Sequence, residues 1–236
     1  MTNKDLKKRR MLSYFIRSTQ NIIKEDGISG VTLRKVAQGA GYNVATLYNY
    51  FEDLDQLVLF ACLKYLQIYN QALNEQLTDC NSAKEKFYLS WRIFCEISFE
   101  NPEAFHQIFF NKHSNTLPQI CERYYEVFPE ERTDAASHLY PILSGYDLNT
   151  RNTLVLKPYL EEEHRPTDNL QLMNELCVAA YHQLLNNCLI QLETHTAYSI
   201  TDYVERMLDY LKFIVLHSPA DNVYFFKNKQ CLFFIF

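Results

Sequence analysis

The sequence predicts an all-α fold, in which an N-terminal three-helix, helix-turn-helix domain is joined to a helical bundle. Apolar residues recur at three- and four-residue spacing along most of the 236-residue chain, which is typical of amphipathic helices. Glycine and proline are scarce, at 5 and 7 residues, which disfavours a turn-rich β-sandwich. With 47% hydrophobic and 22% charged residues, the composition is that of a globular protein with a substantial core.

Composition also indicates the compartment. No run of 18 apolar residues occurs, so we expect no membrane span. The basic segment Met1–Arg10 is not followed by an apolar stretch, so it does not resemble a secretory signal, and we expect a cytoplasmic protein. The seven cysteines form no C-x-x-C pair, which favours reduced and mostly buried thiols over a disulfide framework.

Charge is unevenly distributed along the chain. Residues 1–51 carry nine Lys and Arg against three acidic residues, whereas the whole chain has a formal net charge of -5. A basic N-terminal part on an acidic body indicates that only this part meets a polyanion. A solvated run of charge is the alternative interpretation.

Three helices are predicted in the N-terminal part. The first covers residues 5–26. A second begins after Thr32, a favourable N-cap, and ends at Gly41, since glycine adopts positive φ at little cost. Asn43 is a plausible N-cap for a third helix, Val44–Tyr50. Two short helices joined around one glycine are typical of a helix-turn-helix, whose second helix enters the DNA major groove.

The rest of the chain is predicted to be helical, with one irregular stretch. Asp53 is expected to cap a helix that ends near Gln76, and residues 129–166, which contain four prolines, are expected to form loops and short helices. We expect two domains, a DNA-binding domain at 1–53 and a sensor and dimerisation domain at 54–236. The other predicted helices cover residues 83–99, 102–110, 118–128, 167–196 and 199–217.

The segment Gly30–Phe51 resembles the DNA-binding signature of the TetR family of transcription regulators. The resemblance extends over about residues 10–60. It implies a DNA-binding head, a divergent helical sensor domain and a homodimer formed by the last two long helices. The matching positions are Thr32, Val36, Ala37, Ala40, Gly41, Ala45, Thr46, Leu47, Tyr48, Tyr50, Phe51 and Leu57.

Several side chains of this segment are suited to contact DNA. Small residues at 44–46 allow close approach to the bases, and their methyl groups can contact thymine methyls. Thr32 lies where a helix N-terminus presents free N–H groups to a phosphate. The resemblance implies contacts from Tyr48 and Asn49. The candidate DNA-binding residues are Thr32, Arg34, Asn43, Val44, Ala45, Thr46, Tyr48 and Asn49.

The segment departs from the family pattern at two positions. Leu54 replaces a phosphate-binding lysine, and Asn49 replaces a common histidine. The missing lysine predicts weaker phosphate binding with a flatter salt dependence. The basic run at 7–10 is a candidate replacement, and a solvated arm is the alternative. We expect Leu47 and Phe51 to face inward.

These observations predict a repressor that a small, mostly apolar ligand releases from a palindromic operator. Its expected partners are double-stranded DNA, a second copy of the chain and an unidentified effector. No enzyme motif, metal signature or cofactor motif is present, so we expect no enzyme, metal or cofactor. The alternatives are a ligand-independent DNA-binding or partner-binding regulator with the same head, and an enzyme with an incidental helix-turn-helix. Aromatic candidates for the ligand pocket, or for plain core, are Trp91, Phe94, Phe105, Phe109, Tyr125 and Tyr181.

Overall fold

The computed structural model describes residues 2–132 and 147–217, and in these ranges the chain is helical without strands. The predicted all-α class is therefore confirmed. The apolar tail 231–236, unusual for a chain terminus, lies outside the described residues. The helices are α1 (Asn3–Asp26), α2 (Leu33–Ala40), α3 (Val44–Leu47), α4 (Leu54–Leu77), α5 (Ala83–Glu100), α6 (Pro102–Phe110), α7 (Leu117–Val127), α8 (Leu148–Glu162), α9 (Leu170–Glu193) and α10 (Ile200–His217).

Helices α1 to α3 form a small head around Phe15, whose side chain is fully buried. The Phe15 ring lies 5.7 Å from the Tyr42 ring and 6.3 Å, edge-on, from the Phe51 ring. The turn between α2 and α3 passes through Gly41 at φ 77°, in the left-handed region that glycine adopts without strain. This packing holds the residues on either side of α3 against α1, and Ala45 in the helix is exposed.

Helix α4 passes from the head into the body of the protein, and its N-terminal half is buried on every side. Every residue from Gln56 to Leu63 is buried, which amounts to more than two turns without an exposed position. A helix that is apolar all round requires neighbours all round. Here these neighbours are α1 on the head side and α5, α6 and α7 on the body side.

The body places α5 at its centre, between α8 and α10, and α9 packs on α8 and α10. Aromatic rings fill the core. The Phe94 ring lies 4.8 Å from the Tyr181 ring and 5.5 Å from the Phe105 ring, so α5, α6 and α9 share one aromatic cluster. Offset and edge-to-face pairs of this kind stabilise a core beyond the area that they bury.

The prediction for residues 129–166 was wrong in its second half, because α8 is a continuous helix of 15 residues. The Asp147 side chain caps it by accepting a hydrogen bond of 2.8 Å from the Thr150 backbone N–H. Pro158 lies inside the helix, where proline ordinarily costs stability. Burial of Leu156 and Tyr159 against the neighbouring helices outweighs this cost.

Helix α3 is shorter than predicted, since it ends at Leu47 rather than at Tyr50. After Leu47 the chain tightens into a turn, in which the Asn49 N–H donates to the Thr46 carbonyl at 3.2 Å and the Tyr50 N–H to the Leu47 carbonyl at 2.9 Å. Hydrogen bonds between an N–H and the carbonyl three residues earlier are common in the last turn of a helix. Among residues 2–132 and 147–217, no helix combines the length and apolarity that a membrane span requires.

Candidate nucleic-acid interface and sensor cavity

Two side-chain caps fix the helix-turn-helix. The Asn43 Oδ1 accepts hydrogen bonds from the Thr46 backbone N–H at 2.8 Å and from the Thr46 hydroxyl at 2.9 Å. The Thr32 Oγ1 accepts one from the Lys35 N–H at 3.3 Å. Both caps stand where the sequence predicts them. Each cap lies at a helix N-terminus. The Thr32 and Asn43 side chains therefore fix the start of their helices and also place polar atoms at the surface.

The predicted DNA-contacting residues form one accessible surface. Six are exposed and the other two, Val44 and Thr46, are half-buried. Tyr48 is the most prominent side chain, at 53% exposure. Leu47 and Phe51 are buried, which confirms the inward orientation predicted for them. The exposed six are Thr32, Arg34, Asn43, Ala45, Tyr48 and Asn49.

Helix α1 extends this surface. The exposed ring of Tyr14 stacks on the exposed ring of Tyr42 in the turn before α3, with 6.2 Å between centroids. Lys7 and Arg10 are also exposed and precede Tyr14 by seven and four residues, which places them on the same helix face. We call Lys7, Arg10, Tyr14 and Tyr42 the basic ridge. It carries positive charge to the edge of the exposed segment 43–50, which we call the recognition turn.

Arg9 does not belong to the basic ridge. Its Nε donates a hydrogen bond of 3.0 Å to the Val127 carbonyl at the end of α7, and its guanidinium lies 3.9 Å from the Glu130 carboxylate. One member of the run at 7–10 therefore fastens the head to the body. Sequence alone does not distinguish it from its neighbours, because Val127 is 118 residues away.

The start of α4 carries an ion cluster. The Asp53 side chain caps α4 by accepting from the Gln56 N–H at 2.8 Å. It also lies 3.0 Å from the Lys112 Nζ and 3.0 Å from the His113 Nε2, and Lys112 lies 2.7 Å from Asp55. Partial burial raises the pKa of the Asp53 carboxyl, but these hydrogen bonds outweigh burial and hold the pKa below its usual value. The cluster joins the segment between α6 and α7 to the head.

Arg123 of α7 makes a second connection between body and head. Its Nη2 donates to the Tyr50 carbonyl at 3.1 Å, and its guanidinium lies 5.1 Å from the centroid of the Phe60 ring on α4. A single side chain thus contacts the end of the recognition turn and the helix that leaves the head. Movement of α7 would act directly on both.

A cavity of about 30 Å³ lies in the body between α4, α5 and α8. It is smaller than the roughly 300–1,000 Å³ of sites that hold drug-sized ligands. Its wall combines aromatic rings with a guanidinium. The lining residues are Tyr69, Ser90, Trp91, Phe94, Leu148, Arg151, Asn152 and Val155.

Two of the six aromatic residues predicted for a ligand pocket, Trp91 and Phe94, line this cavity. Phe105 and Tyr181 are fully buried against Phe94, and Phe109 lies 5.9 Å from it, so these three form a second layer. Tyr125 lies on α7 against the Tyr124 ring. The polar residues that α8 contributes to the cavity wall, Arg151 and Asn152, were not predicted from the sequence. The sequence of this segment shows no clear helical periodicity and was interpreted as loop and short helices.

Buried thiols account for most of the cysteines. Of the six in the described residues, all unpaired, five are buried and Cys80 is half-buried. Burial raises the pKa of the Cys121 and Cys177 thiols to about 12, which keeps them protonated and unreactive at neutral pH. Within the described part of the chain, no group of three or more His, Cys, Asp and Glu residues could hold a metal ion.

Comparison with known proteins agrees with this architecture. Residues 15–60 match the sequence family described as "Bacterial regulatory proteins, tetR family". No curated protein matches the sequence significantly. The fold is similar to RolR in complex with its ligand resorcinol, with a TM-score of 0.58 and 18% identity over 92% of this chain and 97% of that one.

A second solved structure has a similar fold. The fatty acid degradation regulator FadR from Bacillus halodurans gives a TM-score of 0.50 and 14% identity, and the match covers 85% of this chain and 93% of that one. A TetR family transcription regulator from Marinobacter aquaeolei VT8 gives 0.41 and 18% identity over 90% of this chain and 98% of that one. At such identities, structural similarity establishes the fold alone.

The ion cluster predicts an acid-sensitive contribution to stability. We expect Asp53→Asn to lower the free energy of unfolding at pH 7 by about 1 kcal/mol or less, the range of solvent-accessible ion pairs. Asparagine retains the capping hydrogen bond but not the charge. Because the folded-state pKa of Asp53 is depressed, its stabilisation is present above the unfolded value of about 3.9 and is lost as pH falls through the folded value.

Urea denaturation across pH tests this prediction. The difference between the wild type and Asp53→Asn should vanish once the pH lies below both pKa values. Asp55→Asn is the matched control, since Asp55 contacts Lys112 but caps no helix. A difference that persists undiminished in acid would show that the charge of Asp53 does not stabilise the fold.

Proposed function

Since the chain belongs to the TetR family of bacterial regulatory proteins, we propose that it is a repressor that a small ligand releases from a palindromic operator. Members of this family are DNA-binding regulators rather than enzymes. The observation that carries the proposal is the exposed recognition turn with Tyr48 at its end, held rigidly by the caps of Thr32 and Asn43. Such a repressor acts in the cytoplasm, on the chromosome.

The recognition turn enters the major groove in this proposal. Residues 44–46 bring the backbone close to the bases, and Tyr48 and Asn49 reach a base edge or the phosphates beside it. Thr32 and Arg34 hold the phosphate at the start of α2, where the N-terminal N–H groups are directed outward. The DNA-reading domain is 1–53, and residues from 54 onward form the sensor and dimerisation domain.

The basic ridge supplies further phosphate contacts, which offset the leucine at position 54. Lys7 lies about 10 Å along α1 from Tyr14, at 1.5 Å per residue, so the ridge spans more than one phosphate spacing. Lys112 adds to this by neutralising Asp55, which otherwise faces the DNA backbone with a negative charge. The head therefore retains a positive DNA-facing surface.

Dimerisation uses the hairpin of α9 and α10. Large apolar side chains are exposed at both ends of it. Where the start of α9 adjoins the end of α10 they are Leu172 at 52%, Leu176 at 46%, Phe213 at 64% and Leu216 at 56%, and at the other end they are Ile190 at 56% and Leu192 at 42%. An exposed apolar patch on a helical pair is typical of a subunit interface. Two copies of the hairpin, related by a two-fold axis, would cover it and present two heads to a palindromic operator.

Helix α4 transmits the ligand signal. It begins at the ion cluster beside the head and carries Tyr69 into the cavity wall, about 24 Å further along. A ligand that displaces Tyr69 or the neighbouring α5 would shift α4 and, through Phe60 against Phe51 at 5.5 Å, the head. The ligand acts only as far as it prefers the shifted state. That RolR, of similar fold, binds resorcinol supports a body able to hold a one-ring molecule.

Removal of the Tyr48 ring tests the recognition turn. We expect Tyr48→Ala to weaken binding to DNA from the chain's own promoter by about 1–3 kcal/mol, the range for removal of one base-edge or flanking interaction. Fluorescence anisotropy at fixed salt measures this change in affinity. Tyr48→Phe is the matched variant, since it keeps the ring and removes the hydroxyl. Unchanged affinity in Tyr48→Ala would place the recognition surface elsewhere.

The basic ridge predicts a change in salt dependence. In Lys7→Ala/Arg10→Ala, the slope of log affinity against log salt should flatten by about 0.9 for each phosphate that is no longer neutralised. Lys24→Ala is the control, because Lys24 lies in the last turn of the same helix, about 15 Å beyond Tyr14. Equal slopes for the wild type and the double variant would remove the ridge from the interface.

Charge placed in the apolar patch tests dimerisation. We expect Leu176→Glu/Phe213→Glu to raise the dimer dissociation constant at least about a hundredfold, because it removes two buried anchors and adds two desolvated charges. Light scattering should then report half the wild-type mass, and operator affinity should fall. Ile68→Glu, at an apolar residue exposed to 42% on α4, is the control. A variant that remains dimeric would locate the interface elsewhere.

A further inference from the structure

A cleft lies between α1 of the head and α4, where the head meets the body. Its volume is about 580 Å³, within the roughly 300–1,000 Å³ of sites that hold small molecules. Helix α1 contributes Arg17, Gln20 and Lys24 to its walls, and α4 contributes Lys64 and Tyr65. None of these residues lines the cavity between α4, α5 and α8, so the cleft is a separate space.

Two lysines in this cleft have no counter-ion. Within residues 2–132 and 147–217, neither Lys24 nor Lys64 makes an ion pair or a side-chain hydrogen bond. The two lysines belong to different helices, and both are exposed in the same cleft. Ammonium groups that share one space repel each other, and an anion between them replaces this repulsion by attraction. The pair is therefore complementary to an anion that bridges α1 and α4.

A third cation and one carboxylate complete the charge of the cleft. The Arg17 guanidinium lies 3.9 Å from the Glu130 carboxylate and 5.4 Å from the centroid of the Phe128 ring, so its charge is partly matched within the protein. The Glu131 carboxylate accepts a hydrogen bond from the Tyr124 hydroxyl, which holds it to α7. The lining thus has three cations against one carboxylate, on a chain with a formal net charge of -5. Positive charge concentrated in a cleft raises the local concentration of anions.

Hydrogen bonds fix the wall of the cleft where the helices meet. The Gln20 Nε2 donates to the Ala61 carbonyl at 3.4 Å and to the Tyr124 hydroxyl at 3.5 Å, so one side chain of α1 contacts both α4 and α7. Ile23 and Ile68 add apolar surface to the lining. A preformed space with basic side chains and apolar surface suits a molecule that has an anionic group and an organic part.

We propose that this cleft binds a small phosphorylated molecule, with its phosphate between Lys24 and Lys64. A lysine ammonium is a compact point charge that suits phosphate oxygens, whereas a planar carboxylate is matched best by an arginine fork. A phosphate monoester carries about two negative charges at pH 7, one for each unmatched lysine. The inference goes beyond the proposed function, because it concerns a second site. Its ligand would join head to body and stabilise their present arrangement.

Pairs of probes that differ only in the phosphate test the class. Adenosine 5′-monophosphate with adenosine, and glucose 6-phosphate with glucose, are titrated into the full chain at pH 7 by calorimetry. In at least one pair, the phosphorylated member should bind about tenfold or more tightly than its neutral counterpart, because it gains charge-assisted contacts with both lysines. Absence of a phosphate preference in both pairs would overturn the proposal.

Variants of the two lysines locate the site. Lys24→Gln and Lys64→Gln should each weaken binding of the preferred phosphate by about fivefold or more, since each removes one charge-assisted contact. Both side chains are exposed, so neither change should disturb the fold. Lys157→Gln is the matched control, at an exposed lysine of α8 outside the cleft. Wild-type affinity in both cleft variants would refute the assignment.

The basic ridge is the alternative site for a phosphate. It lies elsewhere on α1, since Lys24 is about 15 Å along the helix from Tyr14. Lys7→Ala/Arg10→Ala should therefore bind the preferred phosphate as the wild type does. Loss of binding in this variant, with full binding by Lys24→Gln/Lys64→Gln, would place the phosphate on the ridge and refute the cleft.

Thermal unfolding gives a second readout. The preferred phosphate should raise the Tm of the wild type, because it binds the folded state, and should leave the Tm of Lys24→Gln/Lys64→Gln almost unchanged. An equal rise in both proteins would refute the cleft. These measurements contain no DNA, so their outcome is separate from that of the operator-binding experiments.

Discussion

The burial of the N-terminal half of α4 on every side is the constraint on which the rest of the structure depends. From Gln56 to Leu63 no residue is exposed, so the head packs on the first turns of this helix and the body encloses it further along. A helix packed on every side cannot bend freely, because protein interiors are nearly as dense as organic crystals. Head and body are therefore mechanically linked through α4.

Contacts from α7 and from the segment between α6 and α7 connect the body to the head. Arg123 contacts the Tyr50 carbonyl and the Phe60 ring, Arg9 contacts the Val127 carbonyl, and His113 contacts Asp53. Each is a polar contact between a head element and a body element. Polar contacts of defined geometry have few alternative arrangements, so they fix the position of the head on the body.

The head and the body differ in where their polar groups lie. Many polar and basic side chains of α1 to α3 face solvent. In the body, by contrast, Arg151 and the amides around Asn152 are buried and hydrogen-bonded. A buried cation has a high cost of desolvation, which the hydrogen bond from Arg151 to Asn70 and the other polar contacts of Arg151 offset.

The sequence by itself determined the features that depend on local hydrogen bonds. Asn43, Asp53 and Gly41 each act within four residues, so their roles as caps and turn could be predicted and are confirmed. Tertiary structure decided the rest. Helix α8 forms despite Pro158 because its buried face is covered, and Arg9 and Arg151 find partners 118 and 81 residues away. Such partners depend on how the helices pack, which no local pattern specifies.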